Sequence, residues 1–549
     1  MDNDRRMLWP PPQRVDLEPG AEASRDPLPP QGYRIVIRDG VINTEAADDA
    51  GARYAAYTVE QLENDGAPRN VVIEDWPAIA VRGVMLDVSR CRVPSIDTLK
   101  NLLSRLARWK INHVELYLEH TFAYRDHEEV WRDASAYTAE ELRDLDDFAD
   151  GVGIELTAQQ NCLGHMERWL KFDRYRPLAI SPDGFTAPWG EQRGPSTADP
   201  DNPGTLALAR ELFGELLPNL RSRRAHVGLD EPWELTSERS GSWIGYLTSL
   251  RAAPELAGHH VLVWDDVLVH NPELLSQIPG DVTICDWGYE AAQPFDERAA
   301  ELKAMGLPFW LCPGTSSWTT VAGRWTNAVT NIASACTAAA ANGGEGVMVT
   351  DWGDMGHIQH HVVSDPMFAW TAGKAWNAAA DPADIGRVVG FGDALQLLGD
   401  THTLVGPQLF NMSILTLPLY RPWTRFGHGQ MTKGITVEDL ERCAEQVALA
   451  RKLAAVPTES LARDEVLATA DLMALLVDDG IERVKGDGRL GAASPETLAG
   501  FAERARALRE EHIRLWNWRN RPGGLDECLA NYDRLLLSYV PEHHDPAGA

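Results

Sequence analysis

The chain repeatedly ends a short apolar run on a carboxylate or an indole. AHVGLDEPWEL delivers Asp230 and Glu231 side by side, HHVLVWDDV ends on Trp264, Asp265 and Asp266, and DVTICDWGY ends on Asp286, Trp287 and Tyr289. GVMVTDWGD carries Asp351, Trp352 and Asp354, and other runs deliver Arg82 and Asp87, Glu119 and His120, Gln159, Asn161 and His165, and Trp318. Carboxylates move protons and stabilise an oxocarbenium-like centre, while indole faces stack on sugar rings, so this mix suits a neutral polyol with a cationic transition state. Adjacent side chains point in different directions, so Asp230 and Glu231 can serve two roles. Hydrolysis of a 2-acetamido glycoside needs such a pair. One acid protonates the leaving oxygen, and one carboxylate orients the acetamide, whose own oxygen attacks the anomeric carbon. The competing reading is an Asp-Glu dipeptide that only caps the next helix.

Two other chemistries find less support. His120, His127, His165, His357, His360 and His361 do not form H-E-x-x-H or another three-ligand spacing, so neither a metal nor another cofactor is expected. PGTSSW, from Pro313 to Trp318, lacks the nucleophile-elbow pattern of a serine hydrolase.

The elements that must position these groups follow from periodicity. From Val81 to about residue 385, apolar runs alternate with amphipathic segments such as SIDTLKNLLSRLARWK and TAEELRDLDDFADGVG, giving about eight βα units. The expected fold class is therefore α/β, a (β/α)₈ TIM barrel over 79–385 with its site at the strand ends. Residues 1–32 read as an extended Pro-rich leader, and 33–78 as a small α+β domain with a hairpin turning at Asp39-Gly40. Over 386–549 strand signals stop and long helical segments take over, from VEDLERCAEQVALARKLAA to PETLAGFAERARALREEHIRLWNWRN.

Composition narrows the partners. The 51 Lys and Arg against 81 Asp and Glu give a formal net charge of -30, which repels nucleic acid and anionic membrane surfaces. The 7 cysteines form no C-x-x-C pair and read as reduced, mostly buried thiols. The first residues, MDNDRRMLWPPPQ, lack the apolar run of a signal peptide, which points to the cytoplasm and to short glycosides rather than polymers as substrates. A homodimer is compatible with the sequence.

Three stretches resemble family 20 glycoside hydrolases, the β-N-acetylhexosaminidases, over roughly residues 33 to 380. DWPAIAVRGVMLDVSR looks like the family's barrel entry, and HVGLDE like its strand-end acidic pair. NCLGH is similar to its D-x-P-G-H element, with Asn161 for the aspartate and His165 kept. The resemblance implies an arginine, Arg82, holding sugar hydroxyls, with Asp230 orienting the acetamide and Glu231 as general acid. It also implies pocket tryptophans at Trp264 and Trp287, and a W-x-E-like element in Trp352 and Asp354. The chain departs from the family in two places. FWLCPGTSSW has Trp310 and no tyrosine, leaving Tyr289 as the candidate donor to the acetamide, and EHTFAY from Glu119 replaces a D-D-x-x-W element. The expected sugar ligands are thus Arg82, Glu119, Asn161, His165, Trp264, Trp287, Tyr289, Trp318, Trp352 and Asp354. Two alternatives stay open: a β-glycosidase for sugars without N-acetyl, using Asp265 or Asp351 as nucleophile, and a non-catalytic carbohydrate-binding protein.

Overall fold

The computed structural model describes residues 8–543 apart from 19, 65, 67 and 458, so the start of the leader and the last residues of the tail lie outside the described residues. Asp39 and Gly40, both at positive φ, turn the strand Tyr33–Arg38 back on Val41–Ala46. Val71–Asp75 pairs on the other side, and the helix Asp49–Asn64 lays Tyr54, Ala55 and Leu62 on the sheet.

The leader is not the unpacked extension expected of it. Arg14–Asp16 adds a fourth strand, pairing antiparallel with Val72–Glu74. Trp9 is 4% exposed, and its indole N–H donates to the carbonyl of Ala369 at 3.0 Å. Prolines exclude a helix but not docking: an open sheet edge presents unpaired N–H and C=O groups that any extended segment can satisfy.

Eight parallel strands close a barrel: Val81–Asp87, His113–Leu118, Glu155–Gln160, Arg224–His226, His260–Trp264, Thr283–Trp287, Phe309–Cys312 and Gly346–Asp351. The (β/α)₈ expectation therefore holds. The first and last strands join through six register pairs, from Val81 against Gly346 to Leu86 against Asp351. The helices between strands are set by local rules. Ile96–Arg108 buries Leu99, Leu102, Leu103 and Leu106 and starts at a Ser95 cap, while Ala139–Val152 starts with a Thr138/Glu141 capping box and stops at left-handed Gly153. Side chains pointing into the barrel form their own aromatic cluster, including Met85, Tyr117, Leu262, Trp264, Cys285, Trp310, Cys312 and Met348.

Beyond the barrel the chain is helical, with Val437–Ala454, Leu461–Lys485 and Pro495–Arg519 among its long helices. A further long helix, Leu525–Ser538, buries Cys528, Leu529, Tyr532 and Leu535. Among the described residues no helix is long and apolar enough to cross a membrane. All seven cysteines are buried free thiols.

Candidate active site

The fourth strand ends early, and the segment that follows is strained. Gly228, Leu229 and Glu231 have φ of 71°, 69° and 47°. For leucine and glutamate the left-handed region is unfavourable, and such residues persist only where their surroundings hold them. Here the Trp243 indole donates to the Leu229 carbonyl at 3.0 Å, and the Glu231 amide donates to Asp266 Oδ2 at 2.9 Å. The distortion separates the two carboxyl groups: Asp230 is buried, whereas the Glu231 side chain keeps 28% of its surface exposed.

His165 ties the pair together. Its Nε2 lies 3.3 Å from Asp230 Oδ2 and 3.3 Å from Glu231 Oε2. Burial disfavours the imidazolium, but the two carboxylates outweigh it and hold the histidine well above its ordinary value. Burial likewise pushes Asp230 towards the neutral acid, yet His165 and Arg90 bring it below the usual carboxylate range. Its Oδ1 is buried without a hydrogen-bond partner among the described residues. Asp266, by contrast, is driven well above its ordinary value, first by burial and then by Asp230 and Glu231. The close approach of the two loops depends on Gly164, where a Cβ would come within 2.0 Å of the Asp230 carbonyl.

Arg82 does not take part. It is the second residue of the first strand, and its guanidinium is buried at the foot of the barrel, bonded to the carbonyls of Ile79, Ala80 and Lys110 and to Tyr54 Oη and Gln31 Oε1. The assignment to sugar hydroxyls is therefore corrected: Arg82 anchors the small domain to the barrel. The arginine in the site is Arg90, three residues past the end of the same strand. It pairs with Asp87 at 3.2 Å and Glu119 at 3.1 Å and lies over the rings of Tyr117 and Trp352 at 4.6 and 4.9 Å. Sequence periodicity offered a signal for it, since groups just beyond a barrel strand face the site.

The other expected residues are brought together. Tyr117 donates to Glu119 at 2.9 Å and accepts from Asn161 at 3.0 Å. The Trp352 indole donates to Tyr289 Oη at 2.8 Å, Trp287 stacks on Tyr289 at 5.2 Å, and Trp318 meets Tyr289 edge-on at 5.0 Å. Trp264 lies 6.2 Å from Trp352. Asp354 senses Arg90, Asp87 and Glu231, and burial raises it above its ordinary value, as it does Glu119. The buried indole N–H groups of Trp264 and Trp318 have no partner among the described residues. Asp265 and Asp351 face different tasks. Arg298 grips Asp265 Oδ2 at 2.8 and 3.0 Å, and three hydroxyls, of Thr315, Ser317 and Ser364, converge on Asp351 Oδ1 at 2.7 to 2.8 Å.

Periodicity did not indicate that the helix Leu525–Ser538 braces this site. Glu527 forms a bidentate pair with Arg168, three residues after His165, and Asn531 donates to the Met355 carbonyl, next to Asp354. Cys528 Sγ lies 2.7 Å from Cys91 Sγ, next to Arg90. One helix thus touches three of the loops that carry the site.

Residues 80–325 match the model of the glycosyl hydrolase family 20 catalytic domain. The chain is 23% identical over 260 residues to a β-N-acetylhexosaminidase of Cellulomonas fimi, covering 44% of this chain and 51% of that one. It is 21% identical over 291 residues to β-hexosaminidase 3 of Arabidopsis thaliana, covering 46% and 50%. The chain thus spans about half the length of these curated relatives. Among solved structures, a β-N-acetylhexosaminidase superposes with a TM-score of 0.56 at 18% identity, covering 69% of this chain and 93% of that one. The Streptomyces plicatus N-acetyl-β-hexosaminidase in complex with Thio-NAglucal superposes at 0.52 and 20% identity, covering 69% and 82%. At that level of identity the likeness is one of fold. The match to the family 20 catalytic domain thus falls on most of the barrel of this chain and includes its strand-end acidic pair.

Proposed function

We propose that the chain removes terminal β-linked N-acetylhexosamine from short glycosides with retention of configuration, using the acetamide of its substrate as nucleophile. The observation that carries this reading is the single histidine, His165, placed equally close to Asp230 and Glu231. The shared histidine couples two carboxyl groups that the backbone distortion has made unequal in burial, as a division of labour between acid and orienting base requires.

In this reading Glu231 protonates the glycosidic oxygen as the carbon–oxygen bond breaks. Asp230, held anionic, accepts the acetamide N–H through its unpartnered Oδ1, so that the acetamide oxygen attacks the anomeric carbon and takes over the bond the leaving alcohol gives up. A water deprotonated by Glu231 then attacks the same carbon and restores the acetamide. Arg90, positioned by Asp87 and Glu119, donates to sugar hydroxyls, as do the indole N–H groups of Trp264 and Trp318. Trp352, Trp287 and Tyr289 wall the ring, and the Tyr289 hydroxyl is the candidate donor to the acetamide oxygen. The free thiols suit a reducing compartment, supporting a cytoplasmic enzyme.

The test is Glu231→Gln. On a β-linked N-acetylhexosamine disaccharide it lowers kcat by roughly 10²–10⁴-fold with KM near wild type, the size of a lost general acid. Wild-type turnover in this variant sinks the assignment.

A further inference from the structure

The general acid must stand beside the leaving group, because it delivers its proton to the glycosidic oxygen. The surface next to Glu231 is therefore the surface that meets the aglycone, and it carries an aromatic feature that hydrolysis of the terminal sugar itself does not require. Trp233 follows Glu231 by two residues, and its backbone N–H donates to the Glu231 carbonyl at 2.7 Å. Against it stands Trp189, with ring centroids 5.6 Å apart and planes at 89°.

Trp189 sits at the tip of a two-stranded hairpin, Phe185–Thr186 paired with Gln192–Arg193, within the long segment after the third barrel strand. The hairpin is fastened to the site at its base. Arg193 pairs with Glu167 at 3.1 Å, two residues beyond His165, and the Met166 amide donates to the Ser196 carbonyl at 2.8 Å. Glu234 takes the amides of Ser196 and Thr197, joining the same segment to the loop of the acid. The indole itself is held by its Nε1 donating to Glu191 at 2.9 Å and by the Arg193 guanidinium 5.9 Å from its ring. Yet it is 51% exposed. A large aromatic ring fixed from several sides and still half open to solvent is a pre-organised surface for a flat apolar face.

We propose that Trp189, backed by Trp233, is the platform for the leaving-group side of the substrate, and that its occupant is a second pyranose ring, whose apolar C–H face stacks on the indole. The inference rests on the hydrolytic reading above and deepens it: it names a disaccharide or longer glycoside, rather than a small alkyl glycoside, as the substrate class.

The experiment compares wild type with Trp189→Ala on two substrates that share the N-acetylhexosamine: its β-linked disaccharide and its methyl β-glycoside. The ratio of kcat/KM for the disaccharide to that for the methyl glycoside falls roughly three- to tenfold in the variant, mostly through KM, as the loss of one aromatic contact implies. Trp189→Phe restores most of the ratio, and an unchanged melting temperature shows that the hairpin tip is not needed for folding. An unaltered ratio with activity on both substrates overturns the platform and leaves the hydrolytic reading intact. Wild-type inactivity on both substrates overturns the hydrolytic reading and the platform with it.

Discussion

His165 Nε2 stands 3.3 Å from Asp230 Oδ2, and each group shifts the other: the imidazole is held well above its ordinary value and the carboxyl below its own. The contribution of His165 to stability is fully present below its unfolded value of about 6.5 and is lost as pH rises through the higher folded value. That of Asp230 is present above the ordinary carboxylate value and is lost as pH falls through the depressed one. Thermal melts of wild type and His165→Gln across pH should therefore differ most at neutral and mildly acidic pH and converge in alkali. In the variant the acidic limb of the kcat/KM profile moves to higher pH, because Asp230 has lost the cation that kept it ionised. An unmoved limb would mean that the pair is not coupled.

Arg82 and Arg90, on one strand and the loop after it, should respond differently to substitution. Arg90→Lys keeps a charge beside Asp87 and Glu119 but loses the planar fork, so kcat/KM should fall roughly 10- to 100-fold with a small change in melting temperature. Arg82→Met leaves buried carbonyls without a donor and should destabilise the chain by about 2–4 kcal/mol while the folded fraction keeps its kcat. Urea titration and steady-state kinetics on both variants separate the two outcomes.

Gly524 opens the helix Leu525–Ser538 at φ of 80°, and a Cβ there would come within 1.9 Å of the Cys91 carbonyl. Gly524→Ala is strained in both respects and should cost about 2 kcal/mol or more. Since Cys91 adjoins Arg90, it should also raise KM. Glu527→Gln removes only a partly exposed ion pair, worth at most about 1 kcal/mol, so its effect should stay within a few-fold. Equal kinetics for Gly524→Ala and wild type would show that the helix does not position the site.

Tyr289→Phe removes the hydroxyl that accepts from Trp352 and, in the mechanism proposed, donates to the acetamide oxygen. A fall of roughly 100-fold in kcat on an N-acetyl substrate is expected, the size of one lost donor at a developing charge. A change confined to melting temperature would reduce Tyr289 to a partner of Trp352.

The barrel and the acidic pair could be read from the chain because both rest on short-range pattern: apolar runs, amphipathic helices between them, and charged groups where the runs stop. Arg82 falls outside the site because of its position near the start of the strand Val81–Asp87. It lies five residues before Asp87, or roughly 16 Å towards the wrong end of the barrel at the usual rise per residue. The roles of Arg168, Cys91 and Met355 against Leu525–Ser538 arise from contacts between segments hundreds of residues apart, which no local periodicity encodes. The docking of Trp9 under the barrel helix Asp365–Trp376 was hidden in the same way, by a proline-rich context that describes the backbone but not its partner.

The measurement that bears most directly on the central claim is the ratio of kcat/KM for p-nitrophenyl N-acetyl-β-glucosaminide to that for p-nitrophenyl β-glucoside. The two differ only at the group that Asp230 is proposed to orient. A preference of at least roughly 10³-fold for the N-acetyl sugar is expected if the acetamide is the nucleophile. Comparable rates on the two would contradict acetamide participation and require an enzymic nucleophile, with Asp265 and Asp351 as its candidates.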